Sequence, residues 1–260
     1  MRKPFMQMEA AERKIQNSYI LHDKMPLCYP FVKWAGGKTQ LLSQLYALAP
    51  PEFDRYFEPF LGGGALFFYL ISDKNKRFTA YLSDINLELI NWYIAVKDNV
   101  TKLIKFLKQH EIRYKKSPAE YYYKLRNNDG LANQTERAAR FIALNRTCYN
   151  GLYRVNRNGK FNVPLGRYKN PIICNSSNLR NVSIALRYSK ATIKVSDYKK
   201  ILLENAKEGD FIYLDPPYNP ISSTAYFTRY TNSGFSDRDQ KELADVFREL
   251  NDRNLQGSFK

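Results

Sequence analysis

Between Thr39 and Leu48, leucines at 41, 42, 45 and 48 recur at helical spacing, and Pro50-Pro51 ends the run. Ahead of it, Phe31-Val32-Lys33-Trp34-Ala35-Gly36-Gly37-Lys38 is a short apolar piece closing in a glycine turn. Arg55 to Phe60 reads as a strand, Gly62-Gly63-Gly64 as a turn, and Ala65 to Ile71 as an apolar helix. A second strand, Phe78 to Ser83, is closed by Asp84. Strand, glycine turn, helix, strand, acid is the opening half of a nucleotide-binding α/β sheet. From residue 99 the pattern turns helical, with interspersed Tyr and Arg, and then becomes turn-rich from Tyr149 to Pro171. Strands return at Ala191–Val195 and Asp210–Asp215, the latter running into Pro216-Pro217-Tyr218. Ser236-Asp237 resembles an N-cap for a helix carrying Leu243, Val246, Phe247 and Leu250. The predicted organisation is an N-terminal extension (1–28), in which residues 9–14 suit a helical turn or two, and a sheet-forming unit (29–98 and 191–260). A mainly helical insertion (99–190) interrupts that unit.

Charge sharpens this division. The 260-residue chain has a net charge of +16, and residues 101–200 hold 22 Lys/Arg against 5 Asp/Glu. Nine of the 20 tyrosines lie in the same stretch. Basic side chains mixed with aromatics suit phosphate contact and base stacking, whereas a surface charged only for solubility would spread its cations. Three cysteines without a Cys-x-x-Cys pair, and only two histidines, give neither a disulfide framework nor a metal centre, so no metal is expected. No run of apolar residues is long enough to span a membrane, and no signal peptide opens the chain, so a reducing cytoplasm is the expected setting.

Two groups carry candidate chemistry. Gly62-Gly63-Gly64 lets backbone approach a ligand closely, and Asp84, 20 residues past Gly64, stands where an acid accepts hydrogen bonds from ribose hydroxyls. Tight packing alone would explain such a turn equally well. A dinucleotide fingerprint would want glycine at Phe67, which counts against NAD; Gly37-Lys38-Thr39 has Val32 where a phosphate-binding P-loop needs glycine. Asp215-Pro216-Pro217-Tyr218 is the more informative group. Two prolines remove donors and fix φ, so a rigid corner can aim the Asp215 carboxylate and the Pro216 carbonyl at one point. Two acceptors suit the two N–H groups of an aromatic amine, whose lone pair is thereby freed for attack on a sulfonium methyl, while Tyr218 stacks on the ring. A plain strand-to-loop turn with a structural Asp-Pro is the other reading.

Taken together, Lys33–Lys38, Phe57–Gly64, Asp84-Ile85-Asn86 and Asp215–Tyr218, in that order, resemble the Dam-type (class alpha) adenine-N6 DNA methyltransferases, most nearly the branch that modifies GATC. Tyr149–Asn156 and Phe161–Tyr168 extend the likeness through the insertion, and the whole runs from about Phe31 to Asn254. The resemblance implies a Rossmann-like AdoMet-dependent methyltransferase sheet with an inserted target-recognition domain. It implies that Trp34, Lys38, Phe60, Gly62, Gly64, Asp84 and Asp215 hold S-adenosyl-L-methionine, and that Asp215, Pro216 and Tyr218 act on the adenine. Lys33, Leu152, Arg154 and Pro164 match base-reading positions, and Tyr149 and Asn150 match residues that fill or brace the gap left by the flipped base. The implied partner is double-stranded DNA met by a monomer, with room for a cognate restriction endonuclease acting on the same site. RNA or a protein amide is a poorer substrate for so basic an insertion. The family carries further strands after the helix around Leu243–Leu250, where this chain stops. An incomplete sheet is therefore expected, and with it a second reading as a DNA-binding remnant with impaired turnover.

Overall fold

A computed structural model of the chain describes residues 25–128, 130–131, 133–217 and 235–252. Four parallel strands, β1 (Arg55–Glu58), β2 (Thr79–Asp84), β3 (Thr192–Val195) and β4 (Phe211–Ile212), lie in the order β3-β2-β1-β4. Successive strands run out from β1 through β2 to β3, and the chain then crosses back to place β4 on the other side of β1. Parallel pairing demands crossovers. Here they are α2 (Ala65–Ile71) between β1 and β2, a long helical excursion between β2 and β3, and α7 (Tyr198–Asn205) between β3 and β4; α1 (Leu42–Ala47) precedes the sheet. The architecture is the α/β class expected from the strand–turn–helix pattern.

Adjacent side chains of β1 leave on opposite faces, and both faces are dry. Tyr56 enters a cluster with Phe67, Phe78 and Phe211, whereas Phe57 joins Tyr198, Ile201, Leu202 and Ile212, closed over by Val246 and Leu250 of α8 (Asp237–Asp252). At the amino end of the sheet Arg55 grips Asp210 through Nε (2.7 Å) and Nη2 (2.5 Å) and also donates to the Asn205 carbonyl (2.9 Å). That fork ties β1 to the entry of β4.

The excursion after β2 opens with α3 (Leu87–Lys116), capped by Asn86, whose side chain accepts from the Leu89 N–H at 3.1 Å. Non-helical angles at Asn99 break α3 at the point where the sequence pattern changes. α4 (Pro118–Asn127) and α5 (Gln134–Thr147) follow. α5 is buried on nearly every side from Ala138 to Asn145, and its Arg140 caps α4 by donating to the carbonyls of Leu125 (2.8 Å) and Arg126 (2.5 Å). After a stretch whose only helical piece is the short 3-10 turn Tyr149–Gly151, α6 (Ser176–Tyr188) lays Leu179, Val182, Ala185 and Leu186 into the same core as the sheet. One hydrophobic core thus runs from Cys28 to Tyr213 through both the sheet and the insertion.

One expected strand is shorter than its sequence pattern, and the last expected helix forms with its cap. β4 pairs only over Phe211–Ile212, with the Tyr213 N–H still reaching the Phe57 carbonyl at 2.9 Å, and Pro216 and Pro217, which have no N–H, bar any later resumption of the ladder. The expected C-terminal helix forms, and Ser236 caps it: its Oγ accepts from the Asp239 N–H (3.3 Å) while Asp239 Oδ2 accepts from the Ser236 N–H (2.6 Å). Tyr218 and residues 9–14 lie outside the described residues.

Candidate functional site

In an open parallel sheet, ligands bind beyond the carboxyl ends of the strands where the order reverses, which here is between β1 and β4. A cavity of about 920 Å³ opens at that point. Each strand delivers an acid to its rim: Glu58 ends β1, Asp84 ends β2, Asp197 follows β3 and Asp215 follows β4. Trp34, Lys38, Phe60, Gly62, Gly64, Asp84 and Asp215, named from the sequence as one binding set, all line it, together with Pro216 and Lys33.

The glycine turn under this cavity is fixed through both main-chain groups of its first residue. The Gly62 N–H donates to Asp84 Oδ2 at 3.1 Å, and the Gly62 carbonyl accepts from Tyr93 Oη at 3.1 Å. Gly62 and Gly64 have φ of +47° and +66°, conformations that L side chains rarely adopt. A Cβ at Gly62 would come within 2.9 Å of Trp34 Cδ1, so the indole rests directly on bare backbone. Asp84 also accepts from the Asn86 N–H at 2.9 Å; burial raises its pKa despite these backbone bonds, which pull the other way. Backbone donors hold the carboxylate in place and leave it lone pairs for a diol.

Across the cavity, Lys38 Nζ meets both oxygens of Asp215, at 2.6 and 2.7 Å, and the Gly36 carbonyl at 3.0 Å. Glu58 is buried (3% exposed) and accepts from Tyr56 Oη at 3.0 Å. Burial, with the charges of Asp215 and Asp84 adding, pushes its carboxyl up to about 8, so it is largely protonated at neutral pH. A cavity roomy enough for a nucleoside-bearing ligand, a glycine floor, a fixed acid at the second strand and an indole on the wall suit a ligand with a ribose.

Some lining residues escaped the sequence reading. Glu58, Ile85, Asp197 and Tyr198 all face the cavity, and Tyr198 stacks on Phe60 with ring centroids 5.2 Å apart. Asp197 comes two residues after the end of β3, whereas Asp84 is itself the last residue of β2. Asp197 also caps α7, accepting from the Lys199 N–H at 2.8 Å.

The residues expected to read DNA sit on a ribbon folded back on itself between α5 and α6. Isolated bridges join Cys148 to Leu165 and Val155 to Phe161, and the Tyr149 N–H donates to the Pro164 carbonyl at 2.9 Å. Tyr149 is exposed, Asn150 is exposed with φ of +52°, and Arg154 Nε donates to Asn162 Oδ1 at 2.7 Å. The tip between Asn156 and Lys160 is solvent-facing and carries Arg157 and Lys160. Lys33 joins this group from the cavity wall, its ammonium lying 3.9 Å from the Tyr168 ring centroid. Lys33, Tyr149, Asn150, Leu152, Arg154 and Pro164 are therefore brought to one neighbourhood beside the cavity, although Pro164 and Lys33 are more than a hundred residues apart.

Known proteins resemble this chain over most of its length. Residues 34–259 match the family described as D12 class N6 adenine-specific DNA methyltransferase. A type II methyltransferase of Lactococcus lactis subsp. cremoris is 44% identical over 231 residues, covering 87% of this chain and 78% of that relative. A type II methyltransferase of Methanocaldococcus jannaschii is 44% identical over 237 residues, covering 86% and 81%. The DNA adenine methylase of Serratia marcescens is 37% identical over 225 residues, covering 85% and 78%. With the family matched over most of its length and its strand-end acids gathered on one cavity, the chain belongs to the adenine-specific DNA methyltransferases of this class.

Proposed function

We propose that this methyltransferase takes its methyl group from S-adenosyl-L-methionine and places it on the exocyclic amine of an adenine flipped out of duplex DNA, within GATC. The observation that carries the reading is the meeting of Asp215-Pro216, Trp34, Lys38 and Asp84 around one cavity at the switch point of the sheet. In this reading Asp84 takes the ribose hydroxyls, Gly62 and Gly64 let the backbone approach, and Trp34 and Phe60 flank the cofactor. Bound there, AdoMet supplies an electrophilic methyl on a sulfonium, which is already a good leaving group. The Asp215 carboxylate and the Pro216 carbonyl would accept hydrogen bonds from the two amine N–H groups and draw the nitrogen towards a tetrahedral shape, with Tyr218 stacking on the base. As the N–CH3 bond forms, the sulfur leaves as a neutral thioether and one amine proton passes to solvent. Lys38 orients the Asp215 carboxylate.

Residues 29–98 and 191–260 serve as the catalytic domain and 99–190 as the target-recognition domain. Flipping a base costs roughly a few kcal/mol, which phosphate contacts from the basic insertion offset. Lys33, Leu152, Arg154 and Pro164 read base edges; Tyr149 and Asn150 occupy the vacated stack. The GATC assignment rests on these positions matching the GATC-modifying branch. The relatives named as type II methyltransferases favour a role in restriction-modification, with a cognate endonuclease acting on the same sequence.

The test is transfer of labelled methyl from AdoMet to duplexes that contain GATC or a version changed at one base pair. Label recovered as N6-methyladenine on GATC alone supports the reading. Binding without transfer would favour the DNA-binding remnant, and equal labelling of all duplexes would remove the GATC assignment.

A further inference from the structure

Asn145 lies on α5, behind the cavity lining, and only 1% of it is exposed. Both donor positions of its amide are used, and its oxygen accepts as well. Oδ1 accepts from the Lys33 N–H at 2.9 Å, and Nδ2 donates to the Lys33 carbonyl at 2.8 Å and to the Gly151 carbonyl at 2.8 Å. One side chain therefore binds both main-chain groups of Lys33, as a neighbouring strand would, and joins them to the start of the reading ribbon. The two segments touch: Gly151 has φ of +65°, and a Cβ there would lie 2.4 Å from Lys33 Cβ. Lys33 is followed by Trp34 of the cavity wall, and Gly151 by Leu152 of the ribbon.

A second contact joins the same two segments independently. The Trp34 indole, which lines the cavity, stacks on Tyr153 with centroids 5.7 Å apart and planes 27° from parallel. Tyr153 stands between Leu152 and Arg154, and its ring continues into Trp92, Phe141 and Phe161. The wall of the cofactor cavity and the ribbon thus share a polar clamp on one side and an aromatic stack on the other.

We propose that Asn145 is a positioning residue for target discrimination: without touching DNA, it fixes Lys33 and the Leu152–Arg154 ribbon as one rigid reading unit joined to the cofactor wall. The inference rests on the assignment of Lys33 and Leu152 as base readers. In Asn145→Asp an oxygen replaces the donor nitrogen and faces two carbonyls, so the shape is kept while both donated bonds are lost. Tyr153→Leu removes the stack and leaves the clamp, which keeps the idea testable if the buried aspartate prevents folding.

The experiment measures kcat/KM on the preferred duplex and on duplexes changed at single base pairs, for wild type, Asn145→Asp, Tyr153→Leu, Lys33→Ala, Leu152→Ala and the double variant Lys33→Ala/Asn145→Asp. Cooperative thermal melting verifies that each protein is folded. We expect Asn145→Asp and Tyr153→Leu each to lower the ratio of preferred to altered duplex at least tenfold. The Lys33 and Asn145 effects on that ratio should be far from additive, because one side chain acts through the other. A folded Asn145→Asp protein that loses rate equally on every duplex, with its ratio intact, would overturn the proposal and make Asn145 a purely structural residue. If Lys33→Ala and Leu152→Ala themselves leave the ratio unchanged, the base-reader assignment fails and the proposal falls with it. Intact readers beside an inert Asn145 would instead refute the clamp alone.

Discussion

The Lys38 ammonium sits on both carboxylate oxygens of Asp215, at 2.6 and 2.7 Å, across 177 residues of sequence. The two side chains keep 19% and 28% of their exposure, so solvent screens the pair and its contribution to stability is about 1 kcal/mol or less. Its effect is on direction: the acid after β4 is aimed back across the cavity by a cation that precedes β1. Asp215→Ala should lower methyl transfer by about two to three orders of magnitude or more, the scale seen when a preorganised electrostatic group is lost. DNA binding should change little. Single-turnover methylation beside a binding titration reads both, and retained turnover would contradict the role given to Asp215. Lys38→Met should leave the melting temperature nearly unchanged while slowing transfer.

Arg154 is held by its own ribbon, with Nε on Asn162 Oδ1 at 2.7 Å and Nη2 on the Asn162 carbonyl at 3.3 Å. Such anchoring leaves the rest of the guanidinium fork for a base edge. Arg154→Ala should cost roughly 1–3 kcal/mol of discrimination at one base pair, the value of a bidentate contact. Asn162→Ala should cause a smaller loss at the same pair. Competition binding with single-substituted duplexes is the measurement; a uniform loss across all sequences would mean that Arg154 touches phosphate only.

Gly64 and Gly209 separate two costs of replacing glycine. Both have positive φ, +66° and +83°. At Gly209 a Cβ meets nothing within 4 Å, whereas at Gly64 it would lie 2.7 Å from Tyr93 Oη and 3.3 Å from both Leu61 and Phe68. Gly209→Ala should therefore cost only backbone strain, about 1 kcal/mol, and Gly64→Ala that plus overlap in a dry core, about 2–4 kcal/mol. Gly64→Ala must also move the Tyr93 hydroxyl that holds the Gly62 carbonyl, so AdoMet affinity should fall with stability. Urea unfolding of both variants decides it: equal costs would mean that the turn yields freely.

The parts of this fold that were legible in the sequence are those set by neighbours in the chain. Alternation and glycine placement gave β1, α2 and β2 to within a residue or two, and the Asp84 offset gave the acid because strand and turn lengths are fixed by geometry. Asp197 was hidden because Ser196 separates it from β3 and no glycine turn precedes it to set the offset that singled out Asp84. Asn145 carried a signal that was not used: a lone amide in the apolar run Phe141-Ile142-Ala143-Leu144 must have buried partners. Which partners it has, and that Lys38 meets Asp215, depend on how the sheet and the insertion close on each other, and no local pattern encodes that.

Glu58 yields a pH dependence whose sign follows from its surroundings. Burial first, and then the charges of Asp215 and Asp84, raise its carboxyl from 4.5 to about 8, while the Tyr56 hydroxyl at 3.0 Å opposes the rise without cancelling it. Between these two values the folded protein keeps a proton that the unfolded chain has released, so stability falls as pH rises through that window. The contribution is fully present below pH 4.5 and gone above about 8. Glu58→Gln preserves the hydroxyl's acceptor and cannot ionise. The stability gap between variant and wild type should widen in the variant's favour from pH 5 to pH 8.5, by a few kcal/mol at most. Urea unfolding of the ligand-free proteins at both values measures the gap. A gap that stays constant from pH 5 to 8.5 would show that Glu58 is already charged at neutral pH, and the cavity would then hold one more negative charge than argued above.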